Sequence, residues 1–226
     1  MVRASTNNQR APLRNELALI LLAGGYSSRM KAFKPLLPLG DSTVIETAID
    51  TFLYAGIKNI IVVIGYQAEK LKPILNKKGI QWVYNERYSE GMYSSILAGI
   101  SALPTDVKGF FLLPSDMPLI KRQTIEKICE AYSVTNADLL YPVFRGRRGH
   151  PPLISASLFT ELLMYDGSKG LKGILAKYRE HALHIEVEDE GIHLDMDTYE
   201  EYVEIYEKAK GYFYSYGEKA LEIYNG

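Results

Sequence analysis

Five short, largely apolar runs recur along this chain at 17–22, 59–64, 81–84, 110–113 and 139–143. Each reads as a block without the in-out alternation of a half-exposed strand. Blocks of that kind suit strands covered on both faces, as in a mainly parallel sheet. Between them the spacing turns helical. Val44, Ile45, Ala48, Ile49 and Phe52 fall on one stripe, opened by Thr43 and Glu46 at capping-box spacing. Leu71, Ile74 and Leu75 mark a second helix, Ile96, Leu97, Ile100 and Leu103 a third, and Ile125, Ile128, Cys129 and Tyr132 a fourth. Strand and helix alternate, which predicts right-handed crossovers and an α/β three-layer sandwich with a mainly parallel twisted sheet.

After residue 143 the pattern loosens. Residues 144–154 are basic, rich in Gly and Pro, and read as irregular; helices are expected near 155–164 and 168–179 and a strand near 183–187. The end of the chain is helical and rich in tyrosine, with Tyr199, Tyr202, Val203 and Tyr206 on one face and a second short helix over 217–224. Such a stripe is read as packing on the core. The expected organisation is a flexible extension over 1–15, one domain over 16–209, and a helical tail over 210–226 packed on it.

Charge narrows the function. The chain has 226 residues, with 26 Lys and Arg against 27 Asp and Glu, a net charge of −1. A dedicated nucleic-acid or membrane-surface binder needs a basic excess, so neither partner is expected. The longest apolar run, 17–23, is far shorter than the roughly 20 residues of a membrane span, and the polar start lacks the apolar centre of a signal peptide. A cytoplasmic protein is expected. Cys129, the single cysteine, reads as a buried hydrophobe.

The connection after the first strand, AGGYSSRMKAFKPLLPLGD, is far longer than the usual two to six residues or so of a βα turn. Gly24 and Gly25 let backbone N–H groups approach an anion, Ser27 and Ser28 add hydroxyls, and Arg29, Lys31 and Lys34 add cations. Phosphate matches that mixture. The loop contains neither GxxxxGK[ST] nor GxGxxG.

Carboxylates follow further on. Asp116, in PSDMP, stands at the carboxyl end of a buried strand, the edge where open α/β sheets bind ligands. It is read either as a ligand for Mg2+ or as the N-cap of a helix starting at Pro118. Asp195 and Asp197, in LDMDTYEEY, share one side of an extended segment. One is placed to hold a metal, Asp195 first, while the other caps the next helix. In NERYSEGMYSSILAGI, Ser94 and Ser95 stand at a helix start, either binding an anion or capping. RGRRGHPPLIS sets Arg145, Arg147 and Arg148 beside Gly149 and His150, a place for an anionic acceptor.

The wording of LLAGGYSSRMKAFKPLLPL resembles the signature of the MobA-like nucleoside-triphosphate transferases, whose fold is GT-A-like and Rossmann-related. Four further segments, NERYSEGMYSSI, PSDMP, RGRRGHPP and LDMDTYEEY, resemble that family in the same order, across residues 16 to about 205. The resemblance implies a Mg2+-dependent transfer of a nucleoside monophosphate to a phosphorylated small-molecule acceptor, such as molybdopterin, with release of pyrophosphate. It implies that Ala23, Gly24, Gly25, Ser28, Arg29, Lys34, Gly65, Asn85, Ser94 and Ser95 bind the nucleotide. Lys34 and Arg29 are the implied catalytic cations, Asp116 and Asp195 the metal ligands, and Arg148, Gly149, His150 and Asp197 the acceptor side. The AGG wording leans to the guanylyl branch; GMYSSI and GHPP lean to the cytidylyl branch and favour CTP. Tyr199 stands where the family has Pro. A sugar-phosphate nucleotidyltransferase and a nucleotide-binding chaperone without turnover are the rival readings.

Overall fold

The computed structural model of the chain describes residues 14–26, 30, 32–135 and 137–224, with side chains as far as residue 211. At the centre runs β1 (Leu17–Ala23), every residue buried. It pairs in parallel with β4 (Asn59–Ile64) on one side and β6 (Gly109–Pro114) on the other. β5 (Gln81–Tyr84) extends the sheet in parallel beyond β4. Beyond β6 the direction changes. β9 (Leu153–Ser155) lies antiparallel between β6 and β7 (Leu139–Phe144), β8 (Arg147–Arg148) folds back on β7, and β10 (Leu183–Glu186) closes the edge parallel to β7. The segment 144–154, expected to be irregular, therefore holds two short strands. Two or three residues are too few to show a period, and pairing with long neighbours overrides the local signal.

Helices cover both faces. On one side α1 (Val44–Tyr54), α2 (Ala68–Lys78) and α4 (Arg122–Val134) pack with Leu17, Leu19 and Leu21 of β1. On the other, α3 (Met92–Ser101), α5 (Phe159–Met164) and α6 (Gly170–Leu175) pack with Ala18, Ile20 and Leu22. The two faces of one apolar strand thus feed two cores, the expected three layers. Thr43 and Glu46 form the capping box that starts α1, immediately after the small hairpin of β2 (Pro38–Leu39) and β3 (Ser42–Thr43). Cys129 is buried in the first core, and burial pushes its thiol up to about 12.

A third, smaller core positions the acidic segment. Leu39, Val44 and Leu119 pack with Met196 and with Ile205 and Ala209 of α7 (Tyr199–Tyr224). Tyr202 donates a hydrogen bond to the Pro38 carbonyl at 2.8 Å. The stripe that docks is therefore Tyr202, Ile205, Tyr206 and Ala209, whereas Tyr199 and Val203, expected on it, are exposed. α7 also runs unbroken across the expected boundary at 209 and through 217, where a separate helix was expected. An isolated helical glycine costs only about 1 kcal/mol relative to alanine, which strong neighbouring helix formers absorb.

A buried carboxylate ties these parts together. Asp189 accepts from Lys121 N at 2.8 Å, Thr124 Oγ1 at 2.6 Å and Gly191 N at 2.9 Å. The start of α4 is thereby fixed to the turn Glu190–His193 that leads into Asp195. Burial holds the Asp189 carboxyl above its usual range although all three partners pull it down. Asp189→Ala strands these buried donors, at a cost of about 2–3 kcal/mol, which lowers the Tm of a chain this size by roughly 4–12 °C in a thermal melt. An unchanged Tm would show that the clip holds nothing.

Candidate active site

The parallel strands end on one edge, and the chemistry-bearing segments leave from there. β1 runs into Gly24 and Gly25, β4 into Gly65, β5 into Asn85, and β6 into Ser115 and Asp116. Among the described residues nothing stands within 4 Å of where a Gly25 Cβ would be, so its backbone is approachable from that side. Gly65 does not line the cavity there: a Cβ on it would come within 2.7 Å of Tyr88 Cβ and 3.1 Å of the Gly24 carbonyl oxygen. Its glycine is required by packing.

Lys34 is the pivot. It begins a short 3-10 turn, Lys34–Leu36, is 7% exposed, and reaches across the edge of the sheet. Its Nζ donates to Asp116 Oδ2 at 3.1 Å and to Asp197 Oδ1 at 2.8 Å. Three segments spread over 163 residues of sequence are thereby joined at one ammonium group. Asp116 does not cap a helix, because α4 starts only at Arg122 with Lys121 at its N-cap. Burial raises its carboxyl above the usual range, Lys34 pulls it down, and the charge of Asp195 pushes it up again. Nor does Asp197 cap α7: Thr198 Oγ1 accepts from Glu201 N, and the Glu201 carboxylate accepts from Thr198 N and Asp197 N. Met196 points into the third core, and its neighbours Asp195 and Asp197 both face the cleft.

Two cavities meet at Asp116. One, about 440 Å3, is lined by Gly24, Gly25, Lys34, Ser95 and Asp116, with Tyr26 and Tyr88 at its wall. The other, about 400 Å3, is lined by Asp116, Arg148, Gly149, His150, Asp195 and Asp197. Ala23 and Met92 also reach these walls. Most of the expected site residues are thus brought together. Ser28 and Arg29, with Ser27 and Lys31, lie outside the described residues.

Asn85 and Ser94 stand behind the wall as builders. Asn85 Nδ2 donates to Ser94 Oγ at 2.8 Å and Ser95 Oγ at 3.0 Å, while its Oδ1 accepts from Arg87 N. Ser94 Oγ donates in turn to the carbonyls of Arg87 and Gly91. The N-cap of α3 is Gly91, so neither serine fills that position, and of the two only Ser95 lines the cavity. Gly149 is likewise required by packing, since a Cβ would come within 2.4 Å of the Ile192 carbonyl oxygen, which also accepts from His150 N. Burial lowers the His150 imidazole below its ordinary value, and its Nδ1 has no hydrogen-bond partner among the described residues.

Four tyrosines, none of them an expected site residue, gather at this edge. Tyr26 lies with ring centroids 5.1 Å from Tyr66 and 5.6 Å from Tyr88, and Tyr88 lies 6.4 Å from Tyr84. The signal was an aromatic in each of two glycine-bearing loops, Tyr26 beside Gly25 and Tyr88 before Gly91.

The family model for the MobA-like NTP transferase domain matches residues 19–182. The molybdenum cofactor cytidylyltransferase of Escherichia coli is 29% identical, over 81% of this chain and 92% of that one. Nicotine blue oxidoreductase of Paenarthrobacter nicotinovorans is 30% identical over 80% of this chain and 92% of that one. Among solved structures, Rv0371c of Mycobacterium tuberculosis superposes with a TM-score of 0.75 at 25% identity, covering 86% of this chain and 99% of that one, and has also been crystallised in complex with manganese. A match over most of the length, on a mostly parallel sheet with helices on both sides, together with the glycine loop that the matched region contains, establishes that the chain belongs to the MobA-like NTP transferase domain family.

Proposed function

We propose that the chain transfers CMP from CTP to a phosphorylated small-molecule acceptor such as molybdopterin, releasing pyrophosphate in a Mg2+-dependent reaction. The observation that carries this reading is the Lys34 ammonium bridging Asp116 and Asp197 beside Gly24 and Gly25. The acceptor's own phosphate is the nucleophile, so the protein has to position two anions and stabilise charge. Gly24 and Gly25 offer backbone donors to the triphosphate, and Lys34 neutralises charge on the phosphoryl group under attack. By the family resemblance, Arg29 takes the leaving pyrophosphate and Ser28 binds the triphosphate. Ser95 borders the nucleotide, and Asp197 holds Lys34 in place. Arg148 and the neutral His150 face the acceptor.

Asp116 and Asp195 are the residues that would hold Mg2+. Two carboxylates close enough for one to raise the other's pKa form a donor set that a dication relieves. Among the described residues no three His, Cys, Asp or Glu side chains form a metal-binding group; Mg2+ ordinarily completes its shell with phosphate oxygens and water. When bound it supplies Lewis-acid neutralisation of those oxygens.

CTP follows from the wording of GMYSSI and GHPP, which resembles the cytidylyl branch, and from the cytidylyltransferase relative. The similarity to an oxidoreductase makes turnover itself a point of the test. In a pyrophosphate-release assay over the four ribonucleoside triphosphates, with and without molybdopterin, release is expected with CTP and only when acceptor and Mg2+ are both present. Triphosphate binding without release from any pair would favour the chaperone reading.

A further inference from the structure

A larger cavity, about 840 Å3, opens beyond Arg148, Gly149 and His150 and shares those residues with the cavity that holds Asp195 and Asp197. Among the described residues five cations line it, Arg147, Arg148, Lys169, Lys172 and Arg179, and no Asp or Glu does. They come from separate places: β8, the residue before α6, α6 itself, and the residue after the turn Ala176–Tyr178. Among the described residues none of the five forms an ion pair. Lys177, on the same stretch but absent from the lining, is neutralised by Glu161 at 2.5 Å. Compensation is thus supplied next to the cavity and withheld inside it.

A chain of net charge −1 has no overall basic excess to explain this concentration. Like charges facing one space repel, and folding alone gives no reason to gather them. The floor is apolar, with Pro152, Leu171 and Leu175, and the Arg148 guanidinium lies 5.0 Å from the centroid of the Tyr141 ring. A volume of this size holds a small molecule rather than a single ion.

We propose that this cavity receives a second anionic group of the acceptor, set apart from the attacking phosphate, and so selects acceptors with two separated anionic ends. The word acceptor rests on the nucleotidyl-transfer reading, whereas the preference for a doubly anionic ligand is a property of the cavity itself. Lys169, Lys172 and Arg179 are the selecting residues; Arg148, common to both cavities, lies between the two ends.

The test fills the triphosphate site with Mg2+ and α,β-methylene-CTP, then titrates fructose 1,6-bisphosphate or fructose 6-phosphate into the full chain by calorimetry. The bisphosphate is expected to bind about 10-fold more tightly, the gain of added charge-assisted contacts, and the gap should narrow as salt rises. In the double variant Lys172→Gln/Arg179→Gln, which alters two exposed side chains, the gap should close while binding of the analogue and of the monophosphate stays unchanged. Equal affinity for the two sugars, no binding of either, or a gap that survives the double substitution would overturn the inference. Pyrophosphate release, measured separately, keeps the two readings apart. Release without the gap removes only the second anion site, and the gap without release removes only the transfer reading.

Discussion

Lys34→Met is expected to lower turnover at least about 100-fold, the scale on which one preorganised charge or donor at a reacting centre is worth having. Methionine keeps the length and apolar stem of the side chain and deletes the ammonium. That ammonium is 2.8 Å from Asp197 and 3.1 Å from Asp116, so its loss also leaves two partly shielded carboxylates facing each other. Because the missing charge is needed most as the phosphoryl group is attacked, kcat should fall further than the KM for CTP rises. Steady-state kinetics on protein shown to be folded by circular dichroism checks both points. Near-normal turnover in a folded variant would remove Lys34 from the mechanism.

Asp116→Asn separates the charge of that side chain from its shape. Asparagine has nearly the same volume and still offers an oxygen to Lys34. Turnover is expected to drop by about 100-fold or more, since a neutral amide is a poor ligand for a hard dication. Stability should not follow. Burial is the largest influence on the Asp116 carboxyl and raises it above its usual value, so at neutral pH the ionised form is held at a cost to the fold. Removing that charge should leave Tm equal to or above that of the parent chain, the pattern of a residue kept for function against stability. A large loss of Tm alongside the loss of rate would assign Asp116 to structure.

The sequence showed the sheet more readily than the links between segments. The β4 and β5 runs were legible to the residue, β4 because a strand buried on both faces carries its signal in nearly every side chain, and β5, an edge strand with no fully buried residue, because Trp82, Val83 and Tyr84 favour strands. Asp116 could be placed at a strand end because PSDMP follows an apolar run directly. β9 could not be read, since three residues hold no period and their pairing partners lie far away in sequence. The role of Asp197 was hidden for another reason: Met196 anchors the segment in a core that forms only when α7 docks. Asp189 gave no local sign, because its three partners come from two segments. Lys169, Lys172 and Arg179 carry no motif in the sequence, and only the fold turns them onto the same cavity as Arg147 and Arg148.

Convergence at the junction of the two smaller cavities is most directly tested by Mn2+ binding, followed by electron paramagnetic resonance with and without α,β-methylene-CTP in the parent chain, Asp116→Asn and Asp195→Asn. The expected result is Mn2+ binding that tightens when the nucleotide analogue is present and weakens about 10-fold or more in each variant. Mn2+ affinity that ignores the nucleotide, or that is the same in both variants as in the parent chain, would contradict it.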